Sequence, residues 1–363
     1  MDIIGPVGNK ISNLAEIVIL SFACFWHPKK MLKREIWVAR TAAAACLTGL
    51  AWMAAAQTGV PQGRWYKGNL HTHTINSDGD TAPDDVVRWY KEHRYDFLSL
   101  TDHNFLTETE GLSSVFGAKG KFLLLPGEEV TSGYSGKPIH INALDVRSLI
   151  EPAMGSSVVE TIQQNVDRIH AANSLASLNH PNFRWAITVD EMRQISGLKL
   201  FEVYNGHPTV NNQGGGGSPG LEEMWDSLLT AGRRINGIAV DDAHHFKTLG
   251  QSYSNPGRGW VMVQAAELSV AGVRTALENG DFYASTGVVL EEVARLPNGL
   301  RLRLPQADTT RFTTQFIGAK GAVLAASIDA APEYRLNAGE PYVRAVVTDS
   351  NGWKAWVQPV FAD

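Results

Sequence analysis

The chain has 363 residues, of which 44% are hydrophobic and 19% are charged, and its formal net charge is −5. This composition predicts a globular protein with a large core and more than one domain. The mildly acidic balance argues against broad, non-specific binding to nucleic acids, which requires a basic surface.

Residues 1–56 have the composition of a leader with a secretory signal peptide. Basic residues precede an apolar run, and Ala54 and Ala56 resemble a cleavage site. The run is shorter than the roughly 20 residues that a membrane-spanning helix needs, so a cleaved signal is favoured over a membrane anchor. The signal would start at Met31. Alternatively, the apolar residues 17–26 belong to a longer leader.

Both cysteines, Cys24 and Cys46, lie within this leader. Cleavage after Ala56 would leave a protein without cysteine and therefore without a disulfide. Its metal sites would then use nitrogen and oxygen ligands. We therefore expect an exported, periplasmic or secreted protein without a stable membrane anchor. The sequence does not indicate an oligomeric state.

Apolar strand-like runs alternate with helical patterns at least five times after the leader. One helix is predicted to begin at Pro83, with acidic residues in its first turn, and another covers residues 158–172. Strands are predicted at residues 96–100 and 198–203. Such alternation is typical of parallel strands with crossover helices.

The pattern changes towards the C-terminus. From Leu290 onward, short alternating runs are separated by turn signals, and residues 342–347 are predicted to pair with residues 353–361 around Asn351-Gly352. We therefore predict a barrel domain over residues 57–289 and a small, β-sandwich-like domain over residues 290–363.

Metal-binding residue types follow the predicted strands. His71 and His73 alternate along a strand and so share a face, with Asp78 in the following loop. The other such residues are His103, Glu129, His140, His180, Asp242 and His244. In a barrel of parallel strands, the carboxyl ends of the strands meet at one mouth. The pattern therefore predicts a cluster of nitrogen and oxygen ligands for divalent metals.

These motifs resemble the PHP family, named for polymerase and histidinol phosphatase. The resemblance spans about residues 65–250. It rests on His71-Thr-His73, Ser77-Asp78-Gly79, Thr101-Asp102-His103, Gly127-Glu-Glu129, His140, His180-Pro181 and Asp242-Ala-His244. Residues 95–104 and the C-terminal tail resemble the narrower CehA/McbA, or carbaryl hydrolase-like, branch. The resemblance implies a distorted (β/α)7 barrel with two or three divalent ions of manganese, iron or zinc.

The resemblance also implies how the ligands divide among the metals. His71, His73 and Asp242 would bind one ion, and His140 and His180 a second, with Glu129 bridging the two. Asp78, His103 and His244 would bind a third ion. Glu129, Asp242 and His244 are also predicted to be catalytic groups around a metal-activated water.

Other residues are predicted to lie near the substrate. These are Glu202, Asn205, His207, His245 and Arg258. For Glu202 and Asn205 a structural hydrogen-bonding role is equally compatible with the sequence, and Arg258 could instead form a surface salt bridge. Asp102 either orients a ligand imidazole or caps a loop. The run Gly214 to Gly217 is a connector or a lid.

These features predict a metal-dependent hydrolase, with small phosphate esters as the first choice of substrate and no requirement for nucleic acid. The narrower branch suggests aryl carbamates or esters as an alternative. A third possibility is a non-catalytic, metal-binding barrel, against which the intact ligand set argues. A basic rim around the metals would favour phosphate, whereas an aromatic, apolar slot would favour a carbamate.

Overall fold

The computed structural model describes residues 63–306 and 309–362, which form a mixed α/β fold. The predicted leader lies outside these residues. The strands are β1 (Arg64–Asn69), β2 (Phe97–Leu98), β3 (Leu123–Leu124), β4 (Gly127–Tyr134), β5 (Lys137–Leu144), β6 (Leu175–Leu178), β7 (Leu200–Asn205), β8 (Asn236–Val240), β9 (Trp260–Ala265), β10 (Phe282–Ser285), β11 (Glu292–Leu296), β12 (Gly299–Arg303), β13 (Phe312–Ile317), β14 (Val323–Ser327), β15 (Glu333–Arg335), β16 (Tyr342–Asp349) and β17 (Lys354–Phe361). The helices are α1 (Pro83–Glu92), α2 (Glu110–Phe116), α3 (Val158–Ala171), α4 (Val189–Met192), α5 (Leu221–Thr230) and α6 (Val270–Asn279), and Ala319–Gly321 is a 3-10 helix.

The strands form separate sheets instead of one continuous barrel ladder. A nine-stranded sheet has the order β14-β13-β16-β17-β10-β9-β1-β2-β3, and a five-stranded sheet has the order β4-β5-β6-β7-β8. Isolated parallel bridges, Thr72 to Ala243 and His103 to Glu129, link residues that follow β1 and β2 to the five-stranded sheet. The sequence predicted a barrel of parallel strands. The hydrogen bonds between the described strands do not confirm this barrel, because they form separate sheets.

A hairpin explains part of this difference. Strands β4 and β5 pair antiparallel, and only Ser135 and Gly136 connect them. Both residues have positive φ, 51° and 80°, as a tight two-residue hairpin turn requires. No helix crosses over between these strands, so β5 runs against its neighbours β4 and β6.

The C-terminal strands continue the sheet that contains β1. Strand β17 pairs with β10, and β16 pairs with both β17 and β13. The predicted pairing of residues 342–347 with residues 353–361 is thus confirmed. Only β11, β12 and β15 form a sheet of their own. The predicted division at residue 290 does not coincide with a break in the hydrogen bonding.

The helices follow the sequence signals. Helix α1 begins at Pro83, where the missing backbone N–H costs no helical hydrogen bond, and it buries Val86, Val87 and Tyr90. Helix α3 begins after Ser157, whose hydroxyl accepts a hydrogen bond from the backbone N–H of Glu160. Within the described residues, no helix has both the length and the apolar character needed to span a membrane.

One apolar cluster joins the two large sheets. Its members include Leu70, Leu125, Leu144, Leu175, Leu200 and Ile238, all at most 3% exposed. Burying each such side chain contributes about 1.5–3 kcal/mol. These residues lie on or next to the strands whose ends carry the polar side chains described below, so the core fixes the positions of those ends.

Candidate metal centre

The structure brings the predicted ligands from both large sheets together. His71 and His73 follow β1, His103 follows β2, and Asp242 and His244 follow β8. Asp242 Oδ1 lies 3.2 Å from the Nε2 atom of both His71 and His73. Those two nitrogen atoms are 3.1 Å apart. Three side chains thus direct ligand atoms at one point.

The Glu129 carboxylate occupies the middle of the cluster and is fully buried. Its oxygens lie within 3.5 Å of ring nitrogens from five histidines. The distances are 2.8 Å to His103 Nδ1, 3.1 Å to His140 Nδ1, 3.4 Å to His73 Nε2, 3.4 Å to His180 Nε2 and 3.5 Å to His71 Nε2. This position suits a carboxylate shared by more than one cation.

Asp78 forms an outer group that is open to solvent. Its side chain is 55% exposed, and its oxygens lie 3.2 Å from His244 Nε2, 3.5 Å from His73 Nδ1 and 3.6 Å from His103 Nε2. The three residues predicted for the third ion therefore lie together, with His73 added to them.

Among the described residues, four groups of three or four side chains have ligand atoms within 4.8 Å of one another. They are His73/Asp78/His103/His244, His71/His180/Asp242, His71/His73/Glu129 and His103/Glu129/His140. The grouping differs from the predicted one in that His140 lies with His103 and Glu129, whereas His180 lies with His71 and Asp242. Because these groups share members, the nine side chains form one continuous cluster.

The charges of the cluster depend on one another. Burial alone would raise the pKa of Glu129, but positive charge on His103, His140 and His71 holds this pKa well below its usual value. Burial likewise opposes ionisation of Asp242, and His71 and His73 lower its pKa. Two buried carboxylates are thus kept as anions.

Several lone pairs in the cluster have no hydrogen-bonding partner. Glu129 Oε2 and His140 Nδ1 are buried and, although ring nitrogens and carboxylate oxygens lie close to them, no neighbour has the geometry of a hydrogen bond to either atom. The facing Nε2 atoms of His71 and His73 can share only one proton. Burial and the neighbouring charge of His244 lower the pKa of His73 to about 4, so its ring is neutral at pH 7. The neutral imidazole of His73 and the two ionised carboxylates offer lone pairs of the kind that divalent metal ions take.

Glu202 lies behind the cluster. Its Oε1 atom accepts a hydrogen bond from His71 Nδ1 at 2.6 Å, and Oε2 accepts from His180 N at 2.7 Å and from Asn205 Nδ2 at 2.8 Å. Asn205 Nδ2 also lies 3.1 Å from Asp242 Oδ2. Glu202 and Asn205 are therefore hydrogen-bonded to candidate ligands, as the structural alternative expects, and neither lines the cavity described below. Contact with substrate stays a prediction for both.

Asp102 organises the loop that carries Asp78. The Asp102 carboxylate is fully buried and accepts hydrogen bonds from Thr74 N (2.7 Å), Thr74 Oγ1 (2.9 Å), Ser77 Oγ (2.9 Å) and Thr107 Oγ1 (2.5 Å). Of the two roles left open by the sequence, the structure therefore supports loop organisation.

A cavity of about 370 Å³ opens onto the cluster. It is lined by Asp78, His103, Glu129, His140, His180, Phe183, His207, Asp242, His244 and His245. His207 and His245 thus line the cavity, and their contact with substrate stays a prediction. Arg258 does not line the cavity, because its guanidinium donates to the carbonyl oxygens of Gly206 and Gly250. Phe183 was missed, although an aromatic residue three positions after His180 could have been noticed.

No family model matches the chain. Two curated relatives are named 5'-3' exoribonuclease Rnm. The protein from Salmonella typhimurium is 29% identical and that from Escherichia coli 28% identical, in each case over 101 residues. The match covers 28% of this chain and 34% of each relative, so the chain spans about a third of the length of these relatives.

Two solved structures resemble the fold. One is a two-domain protein from Bacteroides vulgatus that contains a predicted PHP-like metal-dependent phosphoesterase. It is 17% identical, with a TM-score of 0.48, and the match covers 81% of this chain and 95% of that one. The other is the lesion-specific endonuclease EndoQ from Pyrococcus furiosus, at 13% identity and a TM-score of 0.38, with 60% and 56% covered.

The resemblance to PHP proteins therefore rests on the sequence motifs, and the carbaryl hydrolase-like branch stays a prediction. The fold and the cluster define a mixed α/β protein with a candidate multinuclear metal centre. The prediction that nucleic acid is not required is unsupported, because both curated relatives are named exoribonucleases.

Proposed function

We propose that this protein is a metal-dependent hydrolase of the PHP type that cleaves phosphate esters. The observation that carries the proposal is the Glu129 carboxylate, surrounded by five histidine rings at the base of an open cavity. His71, His73, His140, His180 and Asp242 would hold two divalent ions with Glu129 between them, and Asp78, His103 and His244 a third. Manganese, iron and zinc all suit this ligand set.

Divalent ions bound here would lower the pKa of a shared water and polarise a phosphoryl oxygen. The protein's own groups prepare the site. Glu202 holds the proton of His71 on Nδ1, which leaves Nε2 free to bind a cation. Asn205 fixes the carboxylate of Asp242 by donating to Oδ2.

His207 supplies a hydrogen-bond donor beside the cluster. Its Nδ1 atom accepts hydrogen bonds from the backbone N–H and the hydroxyl of Thr209, so the ring proton is on Nε2. Burial lowers the pKa of His207, which keeps the ring neutral at pH 7. A neutral Nε2–H group can donate to an ester oxygen without competing for the metals.

The wider architecture is part of the proposal. The two large sheets and the bridges at Thr72 and His103 would together correspond to the distorted barrel of PHP proteins, and residues 290–363 to an appended β-rich region. We also propose that the protein is exported after cleavage behind Ala56. Mass spectrometry of exported protein should then find Gln57 at the N-terminus, and a retained leader would contradict the proposal.

Two observations bear on the choice of substrate. Phe183 lines the cavity and Arg258 is bound to backbone carbonyls, which favours an aryl carbamate or ester as the second candidate. The names of the curated relatives make RNA a candidate as well. A cavity of about 370 Å³ has the size of a small-ligand pocket, and it would admit the end of a strand.

The test is a substrate panel with metal-reconstituted protein. It compares 4-nitrophenyl phosphate, a short 5'-phosphorylated RNA and 1-naphthyl N-methylcarbamate. We expect turnover of the phosphate esters. We expect Asp242→Ala to lower this turnover about a thousandfold, because it removes the carboxylate that would bind the same ion as His71 and His73. The control is Asp329→Ala, which removes an exposed carboxylate bonded to Ser327. Turnover of the carbamate alone would contradict the first choice.

A further inference from the structure

The loop from His180 to Ile187 places an apolar ring in the cavity. Of the ten described residues that line the cavity, nine carry a nitrogen or oxygen atom that can bind a metal or a polar group, and Phe183 carries none in its side chain. The centroid of its ring lies 5.3 Å from that of His180 and 6.3 Å from that of His207. Phe183 thus borders the metal centre without belonging to it.

Hydrogen bonds hold the backbone that carries this ring. The N–H of Phe183 donates to the carbonyl oxygen of His180 at 2.8 Å, and its own carbonyl accepts from Ala186 N at 3.1 Å. The preceding residue, Asn182, donates from Nδ2 to the carbonyl oxygens of Asn211 and Pro219. The backbone that carries the ring is thus fixed, so binding of a ligand costs little backbone conformational entropy.

The two residues that follow Phe183 have strained backbones. Arg184 and Trp185 have φ values of 52° and 56°, which cost free energy in residues other than glycine. Trp185 is 38% exposed, and its ring lies against Gly215, where an added Cβ would be 3.6 Å away. The Arg184 guanidinium is centred 5.3 Å from the Phe183 ring and forms no ion pair with any described residue.

An aromatic ring, a cation and a second aromatic ring therefore follow one another along the chain beside the metal centre. We propose that Phe183, Arg184 and Trp185 form a leaving-group subsite that selects anionic esters carrying a planar aromatic or heteroaromatic ring. The inference rests on the proposed function, because the subsite receives a leaving group only if the metal centre cleaves the ester.

Each residue has a distinct part in this subsite. A flat ring can pack against Phe183 in a stacked or edge-to-face arrangement. Arg184 attracts the negative charge of the ester, and the ester would not have to displace a carboxylate from this guanidinium. Trp185 is partly exposed and does not line the cavity itself, so in this proposal it offers a second apolar surface only to a ring that extends out of the cavity. The cavity, at about 370 Å³, holds a phosphate group and one such ring.

The test measures binding, because binding does not depend on turnover. Isothermal titration calorimetry on the metal-loaded protein compares phenylphosphonate with methylphosphonate, which differ only in the ring. We expect wild type to prefer phenylphosphonate. Phe183→Leu should weaken phenylphosphonate binding about three- to tenfold more than methylphosphonate binding, as expected for the loss of one aromatic contact. Trp185→Leu should shift the preference in the same direction by a smaller factor.

Matched controls separate the subsite from general effects. Phe312→Leu and Trp353→Leu change a half-buried Phe and an exposed Trp that do not line the cavity, and both should retain the preference. If Phe183→Leu does not fold, the exposed Trp185→Leu decides. An unchanged preference in the folded subsite variants would overturn the proposal, as would wild type that binds neither phosphonate.

Turnover of 4-nitrophenyl phosphate is measured separately on the same samples. If no phosphate ester is hydrolysed but the ring preference is present and lost in Phe183→Leu, the proposed function fails, and Phe183 stands as a binding site for aromatic rings but not for a leaving group. If phosphate esters are hydrolysed and the preference does not depend on Phe183, the subsite fails and the proposed function stands.

Discussion

At the scale of single residues, Glu202 shows how a buried carboxylate can set up a metal ligand. It is fully buried, and each of its oxygens accepts at least one hydrogen bond, from His71 on one side and from His180 and Asn205 on the other. A carboxylate that accepts from a ligand imidazole fixes its tautomer and raises its basicity. Glu202 is therefore a positioning residue for His71.

We predict that Glu202→Gln lowers the affinity for metal about 10- to 100-fold, because the amide is a weaker acceptor for His71 Nδ1–H and can turn its NH2 group towards it. Competition with a chromophoric chelator measures this affinity, and thermal unfolding checks that the fold is kept. Glu340→Gln changes a half-buried carboxylate that accepts a hydrogen bond from the Tyr334 hydroxyl, and it serves as the control. A folded Glu202→Gln protein with wild-type metal affinity would refute the role.

The individual ligands could be predicted because histidines and carboxylates recur after apolar runs. Which side Glu202 faces could not be predicted from alternation. Strand β7 has a register shift between Glu202 and Tyr204 where it pairs with β8, so the regular alternation of side chains does not apply there. Arg258 was unpredictable for another reason, since its partners Gly206 and Gly250 belong to loops that do not follow a simple pattern.

At the scale of structural elements, the loop between β1 and α1 carries Asp78 and is fixed by one residue outside it. The Asp102 carboxylate accepts hydrogen bonds from Thr74 and Ser77 within the loop and from Thr107 near its own position. Hydrogen bonds to a charged group contribute about 1.5–3 kcal/mol each. The outer group of ligands around Asp78 therefore depends on Asp102.

Replacing Asp102 with Asn should loosen this loop without removing a ligand. We expect the metal content, measured by inductively coupled plasma mass spectrometry, to fall by one ion per chain. The reason is that the candidate ligands around Glu129 and Asp242 lie on other elements, apart from His71 and His73, which precede the residues that Asp102 holds. Hydrogen exchange should increase over residues 74–80. Asp349→Asn, which changes a turn between β16 and β17, is the control. Loss of all ions together, or of none, would contradict this assignment.

The elements themselves were predicted where one local signal determines them. Pro83 and its acidic neighbours mark the start of α1. The β4–β5 hairpin was missed as an antiparallel unit, although Ser135-Gly136 is a turn signal, because the alternation of strands and helices around it favoured crossover connections.

At the scale of the whole molecule, a buried ion pair joins the C-terminal strands to a helix of the five-stranded side. Arg344 on β16 donates from Nε and Nη2 to both carboxylate oxygens of Asp226 on α5, at 2.6 and 2.7 Å. Its side chain is 1% exposed. The guanidinium also lies over the ring of Trp225, 4.9 Å from its centroid.

We predict that Arg344→Ala lowers the free energy of unfolding by about 3–5 kcal/mol, because it leaves the Asp226 carboxylate buried without its partner. Arg303→Ala, which breaks an exposed ion pair with Glu291, should cost less than about 1 kcal/mol. Chemical denaturation measures both variants. If both variants lost the same free energy of unfolding, the ion pair between Arg344 and Asp226 would not be what holds the C-terminal strands.

The pairing of Arg344 with Asp226, and of β17 with β10, joins segments that are distant in the sequence. Local patterns identify each strand, but they do not specify which distant edge it will extend. For this reason the sequence predicted the β16–β17 hairpin and yet separated it from the sheet to which it belongs.

The central claim is that the histidines and carboxylates around Glu129 bind divalent metal ions. Anomalous diffraction from crystals grown with Mn²⁺ tests it most directly, because it locates each ion. We expect two or three anomalous peaks, with the strongest between His71, His73, Asp242 and Glu129 and the weakest beside the exposed Asp78. A map without a peak among these side chains, at a Mn²⁺ concentration that saturates ordinary metalloenzymes, would contradict the account.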